Sequence, residues 1–401
     1  MGGILVNVFR GGVIYYLVLM LSKIKQAREI ALANRARIAK GGSDRYVVGL
    51  DVGTEFVKAL IARINGNKLE IVGSGRAHQQ LSDMQAGAIA DIGGVVANCS
   101  KALTEAEEQA GISVRTAVLG IAGELVKGTT STVKCTRKQP DVDIDVDEME
   151  YIVGLVQERA SEIAKKNLSL ELGGKMPEVR LVNSALVSIT IDGYPVTNPI
   201  GFKGRDVVIQ LYTAFAPMIH IAALERVAAE LDLDLLAVAA EPFAVARSVI
   251  GDDPNASMSA VLMDVGGGTT DIAIINDGGV QGTKMFGIGG RAFTKAIERE
   301  LGIDFDLAEE YKLQVGTATL PQSKAGEIEE ALDKTADVWI SGVELALSEF
   351  TQLDTIPHKI LLCGGGASLE NLHHVMNETN WYREVAFTKK PTFAFITPDQ
   401  I

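Results

Sequence analysis

Asp51-Val52-Gly53-Thr54 and Asp264-Val265-Gly266-Gly267-Gly268-Thr269-Thr270-Asp271 are two versions of one phrase, and reading them together decides the fold. Each ends an apolar run, Tyr46 to Leu50 in the first case and Ala260 to Met263 in the second. A strand-like run follows each, Phe56 to Ile64 and Asp271 to Ile275. Next comes a turn signal, Asn65-Gly66 or Asp277-Gly278, of the kind that closes a hairpin because both residues tolerate positive φ. Leu69 to Val72 and Val280 to Met285 supply a third strand to each set. The repeat predicts two β-meanders, each opened by an aspartate at a strand end beside a glycine turn.

That placement has chemical content. A carboxylate at a strand end offers oxygen to a hard cation, and the glycine turn lets backbone N–H groups approach a polyphosphate. The second copy is richer, because Gly266, Gly267 and Gly268 remove three Cβ atoms in succession. One such run alone would be an ordinary hairpin, whereas the ordered recurrence argues for a clamp that grips one nucleotide from two sides. Downstream, Gly287-Ile288-Gly289-Gly290 precedes a helical run from Ala292 to Leu301, an arrangement that favours anions. Lys359 to Cys363 has the pattern of a buried strand, and Gly364-Gly365-Gly366-Ala367-Ser368 then makes a turn suited to a sugar or base before another helix. Glu309 and Lys312 share one face of a predicted helix, with charges suited to hydroxyl and ring-nitrogen contacts or to an ordinary surface ion pair.

In this order the pieces resemble the actin-like ATPase superfamily, from about Tyr46 almost to the C-terminus. The landmarks are a first phosphate loop at Asp51 to Thr54, a first connecting helix at Glu241-Pro242-Phe243-Ala244, and a second phosphate loop at Asp264 to Asp271. A second connecting segment at Gly289-Gly290 and an adenosine loop at Gly364-Gly365-Gly366 complete the set. The resemblance implies an α/β, duplicated ribonuclease-H-like fold whose two lobes enclose a nucleotide cleft, with ATP and Mg2+ as ligands. It implies that Asp51 and Asp264 hold Mg2+ through water and that Gly53, Thr54, Gly266, Gly267, Gly268 and Thr269 lie at the phosphates. Gly289, Gly290, Glu309, Lys312, Gly364, Gly365, Gly366 and Ser368 complete the implied nucleotide site. Glu241 is implied to orient the attacking water in a weak Mg-dependent hydrolysis at most. A carboxylate suits that role, since in-line phosphoryl transfer needs a positioned nucleophile. As sequence, a Glu before Pro is equally a normal helix start.

Within the superfamily, Ala102 to Gly123 and the stretch from Asp192-Gly193 to Asn198-Pro199-Ile200-Gly201-Phe202-Lys203-Gly204 resemble the bacterial cell-division family FtsA and its relative PilM of pilus assembly. The implied organisation is an extension at 1–45, a first lobe beginning with 46–123, an inserted FtsA-type α+β subdomain at 124–214, and a second lobe at 215–401. Met218 to Leu231 is amphipathic at helical spacing, Leu235 to Ala239 is strand-like, and turn residues from Gly316 to Gly326 open a short outer part of the second lobe. The implied function is an ATP-binding cell-division protein that self-assembles and links the ring of the division GTPase FtsZ to the membrane under nucleotide control. A PilM-like type IV pilus scaffold is the alternative. A small-molecule kinase of the same superfamily would need an acceptor-side catalytic aspartate, and the sequence nominates none.

Composition is compatible with this reading. A chain of 401 residues exceeds the usual size of one core, so two lobes are expected. A net charge of −13 argues against a general nucleic-acid binder. Cys99, Cys135 and Cys363 lack metal-ligand spacing and are odd in number, which predicts reduced thiols in the cytoplasm. His373 and His374 are adjacent on a predicted helix, so their rings point apart. At the N-terminus, Val13 to Leu21 is too short to cross about 30 Å of hydrocarbon. The basic residues Lys23, Lys25, Arg28, Arg35, Arg37, Lys40 and Arg45 that follow suit an anionic inner leaflet. Residues 1–45 are therefore either a tether at the inner face of the cell membrane or sequence ahead of a true start near Met20. FtsA relatives end in a linker and an amphipathic helix, whereas this sequence stops at Pro398-Asp399-Gln400-Ile401, which fits either a truncated chain or a tether moved to the other end.

Overall fold

The structure, a computed structural model, describes residues 46–396 apart from 66–67, 86, 123–125, 252–256, 316–319 and 321. The expectations for residues 1–45, for Gly66, Gly123 and Gly316, and for 398–401 lie outside the described residues.

The first meander consists of β1 (Tyr46–Val52), β2 (Phe56–Asn65) and β3 (Lys68–His78). β1 is almost wholly buried, which explains its continuous apolar run. After the small hairpin β4 (Met84–Gln85) and β5 (Ala88–Ile89), helix α1 (Ile92–Ala110) crosses β3 and leads to β6 (Thr116–Ile121). Helix and sheet approach closely here because β3 carries Gly73 and Gly75. A Cβ built on Gly75 would stand 1.9 Å from the Ala102 carbonyl oxygen, and one on Gly73 would stand 2.2 Å from that of Ala106. Gly75→Ala is therefore expected to push α1 off the sheet and destabilise the protein by about 1–3 kcal/mol, the cost of overpacking. Chemical denaturation would measure it, and an unchanged midpoint would contradict the packing.

Next comes a layer of β7 (Lys127–Thr136), α2 (Val146–Glu171), β8 (Val179–Ile191), β9 (Tyr194–Pro195) and β10 (Asp206–Pro217). Met149, Ile152, Val153 and Val156 of α2 pack on Ile189, Val207, Ile209 and Leu211 of the strands. The stretch from Asp192 to Gly204 owes its character to turn chemistry. Asp192 and Gly193 both take positive φ, the Asp192 carboxylate accepts from the N–H groups of Arg205 and Asp206, and Asn198 Oδ1 accepts from the Ile200 N–H.

Helix α3 (Met218–Glu230) and β11 (Asp234–Ala240) follow, and here the expected boundary at 215 is corrected. β11 pairs parallel with β6, with Val238 opposite Leu119, and Ile221, Leu224 and Val227 of α3 enter the first core. β6 leaves one edge of the first sheet unpaired, and a parallel partner can reach it only by a crossover through a helix. The first sheet thus has the order β11-β6-β1-β2-β3.

The second half repeats this plan. Helix α4 (Glu241–Ile250) leads to the meander β12 (Ala260–Val265), β13 (Thr270–Asn276) and β14 (Gly279–Phe286). The β13–β14 turn has Asp277 and Gly278 at φ of 46° and 74°, as the turn signal predicts. Three helices, α5 (Gly290–Leu301), α6 (Phe305–Gln314) and α7 (Gln322–Ser348), precede β15 (Lys359–Cys363). Then come a 3-10 turn at Gly365–Ser368, α8 (Glu370–Glu378), a second 3-10 turn at Trp381–Glu384, and β16 (Thr392–Phe395). The order β16-β15-β12-β13-β14 repeats that of the first sheet strand for strand. The fold is thus the duplicated α/β architecture of the actin-like ATPases.

Two expectations are refined. The inserted strands do not form a separate sheet: β7 pairs with β14 through Thr129 opposite Gly282, and the second sheet runs on as β14-β7-β10-β8-β9. Gly326 lies within α7 and not in a turn, since its neighbours Ser323, Lys324, Ala325, Glu327 and Ile328 carry the helix past it. Trp339 of α7 anchors this outer region, being fully buried with its indole N–H donating to Thr270 Oγ1 at 2.9 Å. No described helix is long and apolar enough to cross a membrane.

Candidate functional site

The two meanders present their first strand ends to one another. In β1 and β2 the register sets Asp51 opposite Lys58, and in β12 and β13 it sets Asp264 opposite Asp271. Both partners lie seven positions after their aspartate, so Lys58 and Asp271 are equivalent positions in the duplication. One copy places an ion pair where the other places two carboxyls. Lys58 Nζ donates to Asp51 Oδ2 at 3.0 Å, and the Asp51 charge beside it raises the lysine pKa, with Asp264 and Glu241 adding to the effect.

Glu241 joins them from the first turn of α4. Ala240, directly before it, donates its N–H to Asn183 Oδ1 on β8 at 2.7 Å, which fixes the start of the helix. Gly120 on β6 leaves room for the carboxyl, since a Cβ there would stand 3.0 Å from Glu241 Oε1. Burial holds the Glu241 pKa well above the usual carboxylate range, and Asp51, Asp271 and Asp264 push it further. Asp264 is raised by burial and by Asp51, while a hydrogen bond with the Cys363 thiol opposes the shift. Asp271 is pushed up to about 8, mainly by burial and then by Asp264. Asp51 Oδ1, Glu241 Oε1 and Asp271 Oδ1 are buried without a hydrogen-bond partner among the described residues.

Buried acidic oxygens without donors are costly unless something positive meets them. The donor set is all oxygen, which suits a hard divalent cation. Among the described residues no three such side chains converge as direct metal ligands. A hard cation that keeps its own water shell, as Mg2+ does, would not require three direct carboxylate ligands.

The glycines surround this cluster as backbone surfaces. Gly364 has φ of 85°, and a Cβ on it would stand 2.2 Å from Asp264 Oδ1, so the turn after β15 lies directly on the end of β12. The second connecting segment rests on the second loop, with the Gly290 N–H donating to the Gly266 carbonyl at 2.9 Å and the Arg291 N–H to that of Gly267 at 2.7 Å. Thr270 Oγ1 donates to the Ile288 carbonyl at 2.7 Å and so ties the start of β13 to that segment. A Cβ on Gly268 would stand 2.6 Å from Thr54 Cγ2, one on Gly289 2.7 Å from the Thr269 nitrogen and one on Gly53 3.6 Å from Asp51 Oδ1, so Gly53, Thr54, Gly266, Gly267, Gly268, Thr269, Gly289, Gly290 and Gly364 lie around one space. Gly365 is open, with nothing within 4 Å of an added Cβ, while one on Gly366 would press on Val265. Ser368 Oγ turns back to the Gly365 carbonyl at 2.8 Å.

Glu309 and Lys312 occupy a bracing position. Lys312 is buried and donates to Glu309 Oε2 at 2.6 Å, Thr294 Oγ1 at 2.9 Å and the Gly290 carbonyl at 3.2 Å. An ammonium has three N–H donors, so all three serve the protein and hold the connecting segment in place. Lys58, Glu55 and Arg291 are the site residues that sequence reasoning passed over. The equal seven-residue spacing in the two copies was the available signal for Lys58, whereas Glu55 and Arg291 carry no local pattern.

The sequence model of the family described as Cell division protein FtsA matches residues 261–397. Cell division protein FtsA of Pseudomonas aeruginosa is 24% identical over 357 residues, covering 84% of this chain and 81% of that protein. The same protein of Streptococcus pneumoniae is 25% identical over 378 residues, covering 88% and 78% respectively. Among solved structures, a PilM-PilN type IV pilus biogenesis complex superposes with a TM-score of 0.61 at 17% identity, over 88% of this chain and 91% of that one, which is a likeness of fold. By its second-lobe family match and by division relatives that align along most of its length, the chain is similar to the FtsA family, and its duplicated sheets carry the fold of the actin-like ATPases.

Proposed function

We propose that this FtsA homologue binds ATP and Mg2+ between its lobes and uses the bound nucleotide to control self-assembly and contact with the cell-division machinery at the membrane. The observation that carries the reading is the buried acidic cluster, contributed by both lobes, with oxygens that have no partner and with Cβ-free backbone on either side. In this reading Asp51 and Asp264 hold Mg2+ through its water, which neutralises charge on the phosphates, and Lys58 adds a second positive group beside them. Thr54 and the Gly266 to Thr269 backbone contact phosphate, the Gly364 to Gly366 turn borders the nucleoside, and Glu309 with Lys312 stiffens Gly289-Gly290. Glu241 lies nearest the role of orienting water. Burial raises its pKa, so this carboxyl holds its proton more tightly than an ordinary one and a cation nearby would favour its ionised form.

The partners in this reading are an FtsZ-like division GTPase, further copies of the same chain, and an anionic membrane reached through residues 1–45; nucleic acid is not among them. Flotation with anionic vesicles tests the whole arrangement. Full-length protein is expected to carry the division GTPase to the vesicles when ATP and Mg2+ are present, and deletion of residues 1–45 is expected to leave both in solution. Recovery of pilus-assembly proteins from the same host in place of the GTPase would replace this reading with the pilus scaffold.

A further inference from the structure

One charged contact in the cleft involves neither strand-end aspartate. Glu55, next to Thr54 in the first loop, reaches the opposite lobe: its Oε2 accepts from Arg291 Nε at 2.5 Å. Its Oε1 lies 2.7 Å from His78 Nε2, which holds the carboxylate in place from its own lobe. The loops are in contact along their backbones as well. A Cβ on Gly267 would stand 2.6 Å from Glu55 Cβ, and one on Gly268 would stand 2.6 Å from Thr54 Cγ2. The Glu55 side chain therefore covers Gly267, and Thr54 covers Gly268, in the glycine run that the sequence marks as a polyphosphate cradle.

Arg291 is built to meet an anion. It is 8% exposed, and its Nη2 is buried without a hydrogen-bond partner among the described residues. It stands in the first turn of α5, a helix of 12 residues whose dipole favours negative charge at this end, although the Gly290 and Arg291 N–H groups themselves donate to loop carbonyls. A guanidinium offers five N–H donors, and one oxygen of Glu55 answers only part of that set. A phosphate group presents more oxygens to the same fork.

We propose that Arg291 is a phosphate-binding residue of this cleft, and that Glu55 is an internal anion occupying its place when no nucleotide is bound. Glu55 and Arg291 then latch the empty lobes together, and a nucleoside triphosphate enters by displacing the carboxylate from the guanidinium. This rests on the nucleotide reading above and adds a competitor and a ligand to it.

The test compares the full chain with Glu55→Gln, Arg291→Gln and the paired variant, titrating ATP with Mg2+ and, separately, inorganic tripolyphosphate. A spin-label pair, one on each lobe, reports the lobe separation in the absence of ligand. Glu55→Gln is expected to widen the empty cleft and to tighten binding of either ligand by about tenfold, the scale of a typical coupling between linked equilibria. Arg291→Gln is expected to widen the cleft and weaken binding by a similar factor, and the paired variant to lose the gain of Glu55→Gln. Should Arg291→Gln fail to fold, the paired variant, neutral at both positions, makes the same comparison. Affinities that stay within about twofold of the wild type in all variants, the margin for independent sites, would overturn the proposal and leave a purely structural ion pair. So would a paired variant that kept the tightening. If the wild type binds tripolyphosphate but not ATP, the nucleotide reading fails while the exchange of Glu55 for phosphate is still decided by the tripolyphosphate series. Binding of neither ligand overturns both.

Discussion

Asp264→Asn is expected to abolish Mg-dependent nucleotide binding and, in the same variant, to raise the melting temperature of the empty protein. Asp264 is half-buried, is paired across the sheet with Asp271, and feels Asp51 from the other lobe. Burial and the Asp51 charge oppose ionisation of Asp264 in the fold, so the acid costs stability there. Asparagine keeps the shape and the ability to accept from the Cys363 thiol while removing one acidic group, so the empty cluster is relieved of the desolvation of one acid. Binding is lost for the converse reason, because the cation then has one strand-end carboxylate where it needs two. The decrease should be on the order of a hundredfold or more, as when a group that orients a metal is removed. Titration calorimetry and differential scanning calorimetry on the same sample would check both parts. Unchanged affinity would refute the assigned pocket, and a lowered melting temperature would mean that the carboxylate is part of the structural framework.

The second large effect is a dependence of stability on pH that Mg-nucleotide removes. Asp271 has an ordinary value of 3.8 when unfolded and is pushed up to about 8 in the fold, and Glu241 and Asp264 are raised as well. A group whose folded pKa is raised binds its proton more tightly in the folded state. Its stabilising contribution is therefore whole below the unfolded value and is lost as pH climbs through the folded one. For Asp271 that window runs from near 3.8 to about 8. The empty protein should become less stable across it, by an amount on the order of several kcal/mol when the three groups act together. A bound divalent cation lowers these pKa values and should flatten the profile. Melting temperatures recorded from about pH 5 to pH 8, with and without Mg-nucleotide, measure this linkage. A flat or rising profile for the empty protein would contradict the geometry of the cluster, and Asp271→Asn should remove part of the slope without any ligand.

Much of this site was legible along the chain. The aspartate, glycine turn and hairpin of each copy fall within short windows, and their pattern of apolar alternation and turn residues is local. The strand runs beginning at Tyr46, Phe56 and Ala260 all appear where the pattern puts them, and Asp277-Gly278 forms its turn. Lys58 stayed hidden because a lysine on a half-exposed strand resembles any solvated residue until its register partner is known. The bracing role of Lys312 was hidden for a similar reason, since its pairing with Glu309 was predicted but its two further acceptors come from α5. The boundary at 215 failed because α3 and β11 carry nothing in their own composition that says which of two similar sheets they will join.

The amino-acid sequence by itself determined two meanders, the acids and glycines at their strand ends, and the order of the loops, because periodicity, turn preference and spacing are properties of neighbouring residues. The tertiary structure alone decided that Asp51, Glu241, Asp264 and Asp271 face one space, that β7 continues the second sheet from β14, and that Glu55 meets Arg291 across 236 positions. Burial and charge pairing of that kind arise only when distant surfaces close on each other, and no local stretch of chain encodes which surfaces those will be.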